Sequence, residues 1–420
     1  MGRRLLIAAA VFALVPTSVA AGSSGGAGAP ARSWAASDIR TVTAAGLLGN
    51  DAANFRPQDP ITAQELEDLV FGLKETVFPP PPVPGPPPVN PVIPNPAAPP
   101  TSTTPGTTVP ATTTSAVPTT TTTTTPTTTT AATVPATTTT TATTTVPAAA
   151  SAPKQAAQPN APVSMTRLDV RLVQALGLSR AASEFAKGAR AAGLKVPSRF
   201  GTEVVARLLK LRTNHPAAED GLELLPGDHA TRAEAAYSAS QILGFTGWEV
   251  ASVQSMADQF SLPSFTNWQT QILDTAVARI GMPYVWGGTS DGPESDFGVS
   301  ARGGYDCSGF VWRVYKLQPY PNSGSLPLVL RGRTTYVMSG EVPASKRIGF
   351  ADLQPADVLF FGSKGPRSQP SEVDHTAIYI GNGWFIQSSS HGVDLATLDG
   401  YYKREFAWAR RPLAEAGLAG

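Results

Sequence analysis

The sequence predicts an α+β domain at the C-terminal end, preceded by a small all-α module and a long disordered segment. Three observations support this fold class. Apolar residues recur at helical spacing within residues 34–78 and 164–262. A Pro- and Thr-rich tract of low complexity separates these stretches and occupies residues 79–163. Within residues 266–413, short apolar runs predict strands, and a Gly-Asn-Gly turn at 381–383 predicts an antiparallel hairpin.

Residues 1–21 have the pattern of a secretory signal peptide. Two arginines precede the apolar run at 5–15, and small residues at 18–21 fit a cleavage site. This run is too short to span a bilayer, and no later segment is apolar for the required ~18 residues. The net charge of +1 gives no electrostatic basis for binding nucleic acid. We therefore expect a secreted protein with no membrane span and no nucleic-acid partner.

The helical stretches contain recurring cap signals. One helix is expected between Trp34 and Leu48, and a second begins behind the capping box of Thr62 and Glu65. Thr166 and Asp169 show the same spacing, which predicts a further helix start. A third start is marked by a triplet that repeats the spacing of the first unit: Pro57, Asp59 and Thr62 correspond to Pro226, Asp228 and Thr231. Recurring loop-and-cap units indicate a repeat module.

These units resemble S-layer homology (SLH) repeats, in which a loop leads into a Thr-Arg-Ala-Glu helix start. The resemblance covers the unit at 34–78 and part of the module at 164–262. It implies binding of a secondary cell-wall polymer, with Arg167 and Arg232 as candidate contacts for an anionic glycan. The alternative is that both arginines are solvated residues at the start of a helix. The first unit has Ala63 where the family has arginine.

The tract at 79–163 cannot bury enough apolar surface to fold. Its Pro-rich beginning favours the extended polyproline II conformation, and a Thr/Pro/Ala run continues to about Pro153. In a secreted protein such a tract is typical of an O-glycosylated stalk or a spacer across the wall. An unmodified linker fits the composition equally well.

Cys307 is the only cysteine of the chain, so no internal disulfide is available to it. Asp306 is a good N-cap, and the apolar residues after it have helical spacing, which places Cys307 in the first turn of a helix. Free N–H groups and the helix dipole at that position are expected to lower the pKa of the thiol and to hold an oxyanion. The alternative is a small buried hydrophobic residue.

A nucleophilic thiolate needs a base with an orienting partner. His375 opens a predicted strand, whereas His391 falls in a predicted loop. If residues 381–383 form the hairpin loop, Ile380 faces Trp384 and Ala377 faces Gln387, so that His375 shares a face with Gln387. A two-residue loop would place them on opposite faces. A catalytic role for His375 therefore requires the longer loop or a β-bulge.

Residues 267–413 resemble the NlpC/P60 family of papain-like cysteine peptidases. The resemblance rests on four ordered motifs: PYVWGG at 283–288, DCSGFV at 306–311, LQPADVLFF at 353–361 and HTAIYIGNG at 375–383. It implies an antiparallel sheet with the nucleophile helix packed on it. The family positions place the nucleophile at Cys307, the base at His375 and the third polar residue at Gln387, with His391 as its rival. They also place substrate or oxyanion contacts at Tyr284, Asp306 and Ser308.

The resemblance further implies a wall-associated hydrolase of bacterial peptidoglycan. Its substrates are stem peptides, and the expected bond joins D-glutamate through its γ-carboxyl to a diamino acid. The sequence itself indicates no cofactor and shows no cluster of metal ligands. Two alternatives stay open: an inactive wall-binding or structural protein, and an amidase or acyl transferase on the same scaffold. The acidic loop at 289–304 is longer than the motifs lead one to expect and is placed beside the cleft.

Overall fold

The computed structural model describes residues 33–77, 156–293 and 300–418. The predicted signal peptide at 1–21 and most of the predicted linker lie outside these residues. In the described part of the chain, no helix combines the length and apolarity needed to cross a bilayer.

The helices are α1 Ala36–Ala44, α2 Ala63–Val77, α3 Met165–Ala175, α4 Ser179–Ala191, α5 Phe200–Leu208, α6 Arg232–Leu243, α7 Trp248–Gln259, α8 Asn267–Val277, α9 Cys307–Trp312, α10 Leu326–Val329, α11 Thr335–Gly340, α12 Gly400–Glu405 and α13 Pro412–Glu415. The strands are β1 Thr289–Ser290, β2 Gly304–Tyr305, β3 Val358–Gly362, β4 Val373–Gly381, β5 Trp384–Ser389, β6 Gly392–Thr397 and β7 Phe406–Arg410.

The three loop-and-helix units meet in a closed ring of backbone hydrogen bonds, here termed the repeat junction. Ile61 N–H donates to Ala230 O (2.9 Å), Ala230 N–H to Val163 O (2.9 Å), and Val163 N–H to Ile61 O (3.1 Å). All three side chains are buried. The ring places the starts of α2, α3 and α6 around one centre, so that each unit completes the backbone hydrogen bonding of another.

The helix caps follow from this junction. The capping box of Thr62 and Glu65 is confirmed, and Thr231 caps α6 through the N–H of Glu234. In the second unit the predicted cap is wrong. Ser164, not Thr166, accepts the hydrogen bond from Arg167 N–H at 3.2 Å. The N-cap of α3 thus lies two residues earlier than predicted. Val163 takes the same place in the hydrogen-bonded ring as Ile61 and Ala230, so the residue after it, Ser164, is the cap.

The predicted linker boundary at residue 163 also needs correction. Ala156 N–H donates to Gln64 Oε1 of α2 at 3.0 Å, and the side chain of Val163 is buried. The residues 156–163 therefore pack on the first unit. The sequence alone missed this because the Pro- and Ala-rich composition of the segment gives no helical or strand period.

The two arginines proposed as glycan contacts differ sharply in their surroundings. Arg232 has an 11% exposed side chain, and its guanidinium donates to the Glu65 carboxylate and to the carbonyls of Phe55 and Leu48. It therefore joins the first and third units, which corrects its assignment as a glycan contact. Arg167 is exposed.

Replacing Arg232 with methionine is expected to lower the free energy of unfolding by about 2 kcal/mol, because Glu65 loses its cation and two partly buried carbonyls lose their donor. Arg167→Met, the matched control, is expected to change it by less than about 0.5 kcal/mol. Urea denaturation of both variants measures the difference. Equal effects would contradict a structural role for Arg232.

The C-terminal part is built on a five-stranded antiparallel sheet in the order β6-β5-β4-β3-β7. Helix α9, which begins at Cys307, packs on this sheet against β4 and β5, and its residues Phe310 and Val311 are fully buried. The predicted α+β class is confirmed, as are the three predicted strands, here β3, β4 and β5. No pattern in the sequence predicted β6 and β7, which form the two edges of the sheet.

The helical module packs directly on the sheet. Helix α5 lies against β6, and Arg207 of α5 donates to the carbonyls of Gly281 and His391. Asn214 N–H also donates to Ser390 O at 2.8 Å. These contacts join the segments 164–262 and 266–413 within one compact unit.

Candidate active site

Helix α9, which carries Cys307, begins where the sequence predicted. Asp306 is the N-cap of α9, and its Oδ1 accepts the N–H of Gly309 at 2.5 Å. Cys307 is the first residue of the helix, and its side chain is half-buried. Phe310 and Val311 face the sheet, so the first turn is held with Cys307 at the rim of the core.

Arg333 anchors this first turn. Its guanidinium donates to Asp306 Oδ1 (3.0 Å) and Ser308 Oγ (2.6 Å), and also to the carbonyls of Gly287 (3.0 Å) and Gly288 (3.2 Å). The sequence left the role of this arginine open. Asp306 and Ser308 are buried and turned toward Arg333, and neither lines the cleft. Their role as substrate contacts stays a prediction, whereas the geometry makes them part of the helix anchor.

The strand hairpin reaches the required register through a bulge. Ala377 pairs with Gln387 as predicted, but Gly381, not Ile380, pairs with Trp384. The register shifts between Tyr379 and Gly381. The hairpin loop therefore consists of only two residues, 382 and 383. Such a loop alone would place His375 and Gln387 on opposite faces, but the extra residue in β4 brings them back to the same face. His375 and Gln387 consequently lie on the same face of the sheet.

His375 and Gln387 are directly hydrogen-bonded. The distance from His375 Nε2 to Gln387 Oε1 is 2.7 Å. An amide oxygen only accepts, so Nε2 carries the proton and Nδ1 is left as the basic atom. Gln387 Nε2 in turn donates to Tyr402 Oη at 2.8 Å. The imidazole also lies near the rings of Phe361 and Tyr402, with centroids 5.6 and 6.3 Å away.

His391, the rival for the third position, lies elsewhere. It occupies the turn between β5 and β6, and its Nδ1 is 2.6 Å from Arg212 O of the helical module. It does not line the cleft that contains Cys307 and His375. Among the two candidates, only Gln387 contacts the imidazole of His375.

Cys307 lies where two strands separate. The pairing of β4 with β5 ends at Ala377, and the backbone N–H of the preceding Thr376 is directed at the sulfur, as is that of Ser308. Both groups lower the pKa of the thiol. Burial opposes them more strongly, and with the negative charge of Asp306 it raises the pKa of Cys307 to about 12. Burial also lowers the pKa of His375.

The expected lowering of the thiol pKa is therefore wrong for this structure. The helix N-terminus contributes in the anticipated direction, but desolvation disfavours the thiolate by more. Burial thus favours the neutral forms of both the Cys307 thiol and the His375 imidazole.

This protonation state predicts a distinctive pH profile. We expect kcat/KM to fall as the pH drops through the His375 pKa, below 6.5, because the base must be neutral to accept the thiol proton. At higher pH it stays level to at least about pH 10, since the thiol titrates near 12. Peptide hydrolysis across this range measures the profile, and a fall between about pH 8 and 9 would indicate an ion pair instead.

The cleft beside Cys307 has a volume of about 440 Å³. Tyr284 lines it, and its role as a substrate contact stays a prediction. Trp286 and Tyr401 stand at its rim with 67% and 62% of their surfaces exposed. The side chains that line it are Asn214, Tyr284, Trp286, Cys307, Phe361, Asp374, His375, Ser388, Ser389, Ser390, Tyr401, Tyr402 and Glu405.

Sequence reasoning missed several of these groups. Asn214 comes from the helical module, and Tyr401 and Tyr402 come from α12, far along the chain from Cys307. None of them lies in a recognisable motif. The loop at 289–304 is held to the rest of the domain by Asp291, whose carboxylate accepts hydrogen bonds from the side chains of Arg279 and Tyr305. Its other acidic residues, Glu294 and Asp296, lie outside the described residues.

Comparison with known proteins gives a consistent result. The sequence model of the NlpC/P60 family matches residues 281–411, and that of the S-layer homology domain matches residues 30–66. The chain is 28% identical over 149 residues to murein DD-endopeptidase MepH of Escherichia coli K12. It is 33% identical over 146 residues to the probable peptidoglycan endopeptidase LytE of Bacillus subtilis. These matches cover 35% and 34% of the chain, and only 46% and 34% of the two relatives.

A third relative is matched over most of its length. Murein DD-endopeptidase MepS/murein LD-carboxypeptidase of Escherichia coli K12 is 30% identical over 175 residues, which is 40% of the chain and 77% of that protein. Among solved structures, an NlpC/P60 family protein from Bacillus cereus is 26% identical, with coverage of 36% of this chain and 42% of the other and a TM-score of 0.27. On the sequence matches, the chain belongs to the NlpC/P60 family.

Proposed function

We propose that the protein is a secreted cysteine endopeptidase that cleaves peptidoglycan stem peptides at the bacterial cell wall. The observation that supports this most directly is the placement of Cys307 and His375 on one cleft, with Gln387 hydrogen-bonded to the imidazole. Similarity to proteins named as murein and peptidoglycan endopeptidases supports the choice of substrate.

The proposed reaction begins with proton transfer. His375 Nδ1 takes the thiol proton as Cys307 Sγ forms a bond to the scissile carbonyl carbon, and the carbonyl oxygen becomes an oxyanion. Backbone N–H groups at the start of α9 face this region, including that of Ser308. The C–N bond then breaks, the leaving amine takes the proton from His375, and a thioester with Cys307 remains.

Hydrolysis of the thioester restores the enzyme. A water molecule gives a proton to His375 Nδ1 as its oxygen bonds to the thioester carbonyl carbon. The C–S bond breaks, and the proton returns to Cys307. Gln387 holds the Nε2–H of His375 throughout, so that Nδ1 stays directed to the reacting atoms.

For the substrate we propose the bond between the γ-carboxyl of D-glutamate and a diamino acid. The cleft offers exposed aromatic faces at Trp286 and Tyr401 against which an extended peptide packs. Attachment to a secondary cell-wall polymer through the SLH-like module is part of the proposal. In this proposal the exposed Arg167 contacts an anionic polymer, and Arg232 does not, because it is already ion-paired with Glu65.

Digestion of defined stem peptides, both free and still attached to their sugar, with mass readout tests this function. The expected products are a fragment that ends in D-glutamate and a fragment that begins with the diamino acid. Release of the intact stem peptide from its sugar would instead indicate an amidase. Transfer of the acyl group to an added amine without hydrolysis would indicate an acyl transferase.

A further inference from the structure

Asp394 lies directly behind the proposed catalytic residues. It stands on β6 opposite Gln387 of β5, as its Cα partner in the ladder, and is only 6% exposed. Ser389 Oγ donates to its Oδ2 at 2.6 Å. Among the described residues, its Oδ1 has no hydrogen-bond partner. A buried carboxylate oxygen in this state costs about 1–3 kcal/mol, so its retention needs an explanation.

The neighbouring donor is the amide of Gln387. One Nε2 hydrogen of this amide is used by Tyr402 Oη, which leaves the second available to β6. The side-chain amide of Gln387 lies close enough to the Asp394 carboxyl to lower its pKa. The orphaned Oδ1 and the second amide hydrogen are thus complementary groups on adjacent strands.

The carboxylate settles a choice that the other contacts leave open. The amide of Gln387 fits its site in two orientations related by a 180° turn, which exchange its oxygen and nitrogen. Tyr402 does not select between them, because a hydroxyl both donates and accepts. An ionised carboxylate only accepts, so Asp394 requires the NH₂ group on its side and leaves the oxygen for His375.

We propose that Asp394 is a positioning residue of the active site. Its carboxylate accepts the second Nε2 hydrogen of Gln387, fixes the amide and thereby holds His375 in the Nε2–H tautomer, with Nδ1 free to act on Cys307. The catalytic consequence rests on the proposed function, whereas the tautomer itself does not. Because the charge polarises the amide, Gln387 also becomes a stronger acceptor toward the imidazolium that forms during reaction.

The surroundings of Asp394 let it act near neutral pH. Burial raises the pKa of Asp394 to about 6, against the lowering effects of Ser389, Gln387 and Arg207. Above that pH it is a carboxylate, and below it the protonated carboxyl donates and no longer selects the amide orientation. The polar and charged groups on the elements packed around it are Gln387 and Ser389 on β5, Arg207 and its ion partner Glu203 on α5, Tyr305 on β2 and Tyr402 on α12.

The tautomer is measured directly by NMR on the full chain. Nitrogen-15 labelling of the histidines, with the His375 signals assigned by loss in His375→Ala, reports which ring nitrogen carries the proton at about pH 8. We expect the Nε2–H form in the wild type and a mixture with the Nδ1–H form in Asp394→Asn. The same Nε2–H form in both proteins would overturn the proposal.

Kinetics supply the second readout. We expect Asp394→Asn to lower kcat at least about tenfold, within the roughly 10²–10⁴-fold range of a general base, with KM changed less than about twofold. The acidic limb of log(kcat/KM) against pH is expected to change from a two-proton to a one-proton slope. Asp399→Asn is the matched control, because Asp399 is exposed and its side chain makes no cap hydrogen bond.

Stability separates positioning from a structural role. The folded-state pKa of Asp394 is raised, so the ionised carboxylate opposes folding at neutral pH, and a neutral asparagine is not expected to lower Tm. A fall in kcat accompanied by a fall in Tm, with an unchanged tautomer, would assign Asp394 a structural role only. Peptide release that persists in Cys307→Ala would refute the proposed function but leave the tautomer result intact.

Discussion

Replacing Cys307 with alanine is expected to abolish the release of peptides from purified peptidoglycan. The proposed acyl-enzyme forms on this sulfur, and the chain has no second cysteine to replace it. Removal of a nucleophile in comparable machinery lowers kcat by about 10⁴-fold or more. Mass analysis of the soluble peptides after digestion measures the effect.

The fold of this variant is expected to be intact, because alanine is smaller than cysteine and the anchor of α9 is made by Asp306 and Arg333. A Tm close to that of the wild type is the control. Cys307→Ser provides a second comparison that keeps the shape but not the chemistry of the nucleophile. Unchanged peptide release by a folded Cys307→Ala protein would refute the cysteine mechanism.

Arg333→Met is expected to lower both stability and activity. The substitution leaves the Asp306 carboxylate, with a 13% exposed side chain, without its cation, and it removes donors from the carbonyls of Gly287 and Gly288. Breaking a largely buried ion pair costs about 3 kcal/mol in the free energy of unfolding. Activity falls as well, because Arg333 also lowers the pKa of Cys307.

Denaturant unfolding and peptide hydrolysis measure the two effects separately. Arg331→Met is the matched control, since Arg331 is exposed two residues away and is expected to change the free energy of unfolding by less than about 0.5 kcal/mol. A folded, fully active Arg333→Met protein would show that the first turn of α9 needs no such anchor.

The sequence predicted those parts of the site that depend on interactions between residues close together in the chain. The cap at Asp306 and the helix after it follow from neighbouring residues alone, and both are confirmed. The pairing of Ala377 with Gln387 was predicted from strand parity. The bulge between Tyr379 and Gly381 was foreseen only as a requirement, because its position depends on contacts across the sheet.

Long-range contacts account for what the sequence did not reveal. Arg333 reaches Asp306 from another segment, and Tyr402 reaches Gln387 from α12. Such contacts between distant segments leave no periodic pattern in the sequence from which they could be predicted. The pKa of Cys307 was anticipated in the wrong direction for the same reason: the helix start is visible in the sequence, but the burial that outweighs it is a property of the whole fold.

The repeat junction gives the segment 78–155 the topology of an insertion. Helix α2 ends at Val77, and the chain is described again from Ala156, which is hydrogen-bonded to Gln64 of the same helix. Both ends thus belong to one module, so the length of the segment does not change how the first repeat is placed against the other two. Doubling that length costs only about 0.6 kcal/mol in loop-closure entropy. After a protease cut between residues 78 and 155, we expect the two fragments to stay associated through the hydrogen bonds of Ile61, Val163 and Ala230.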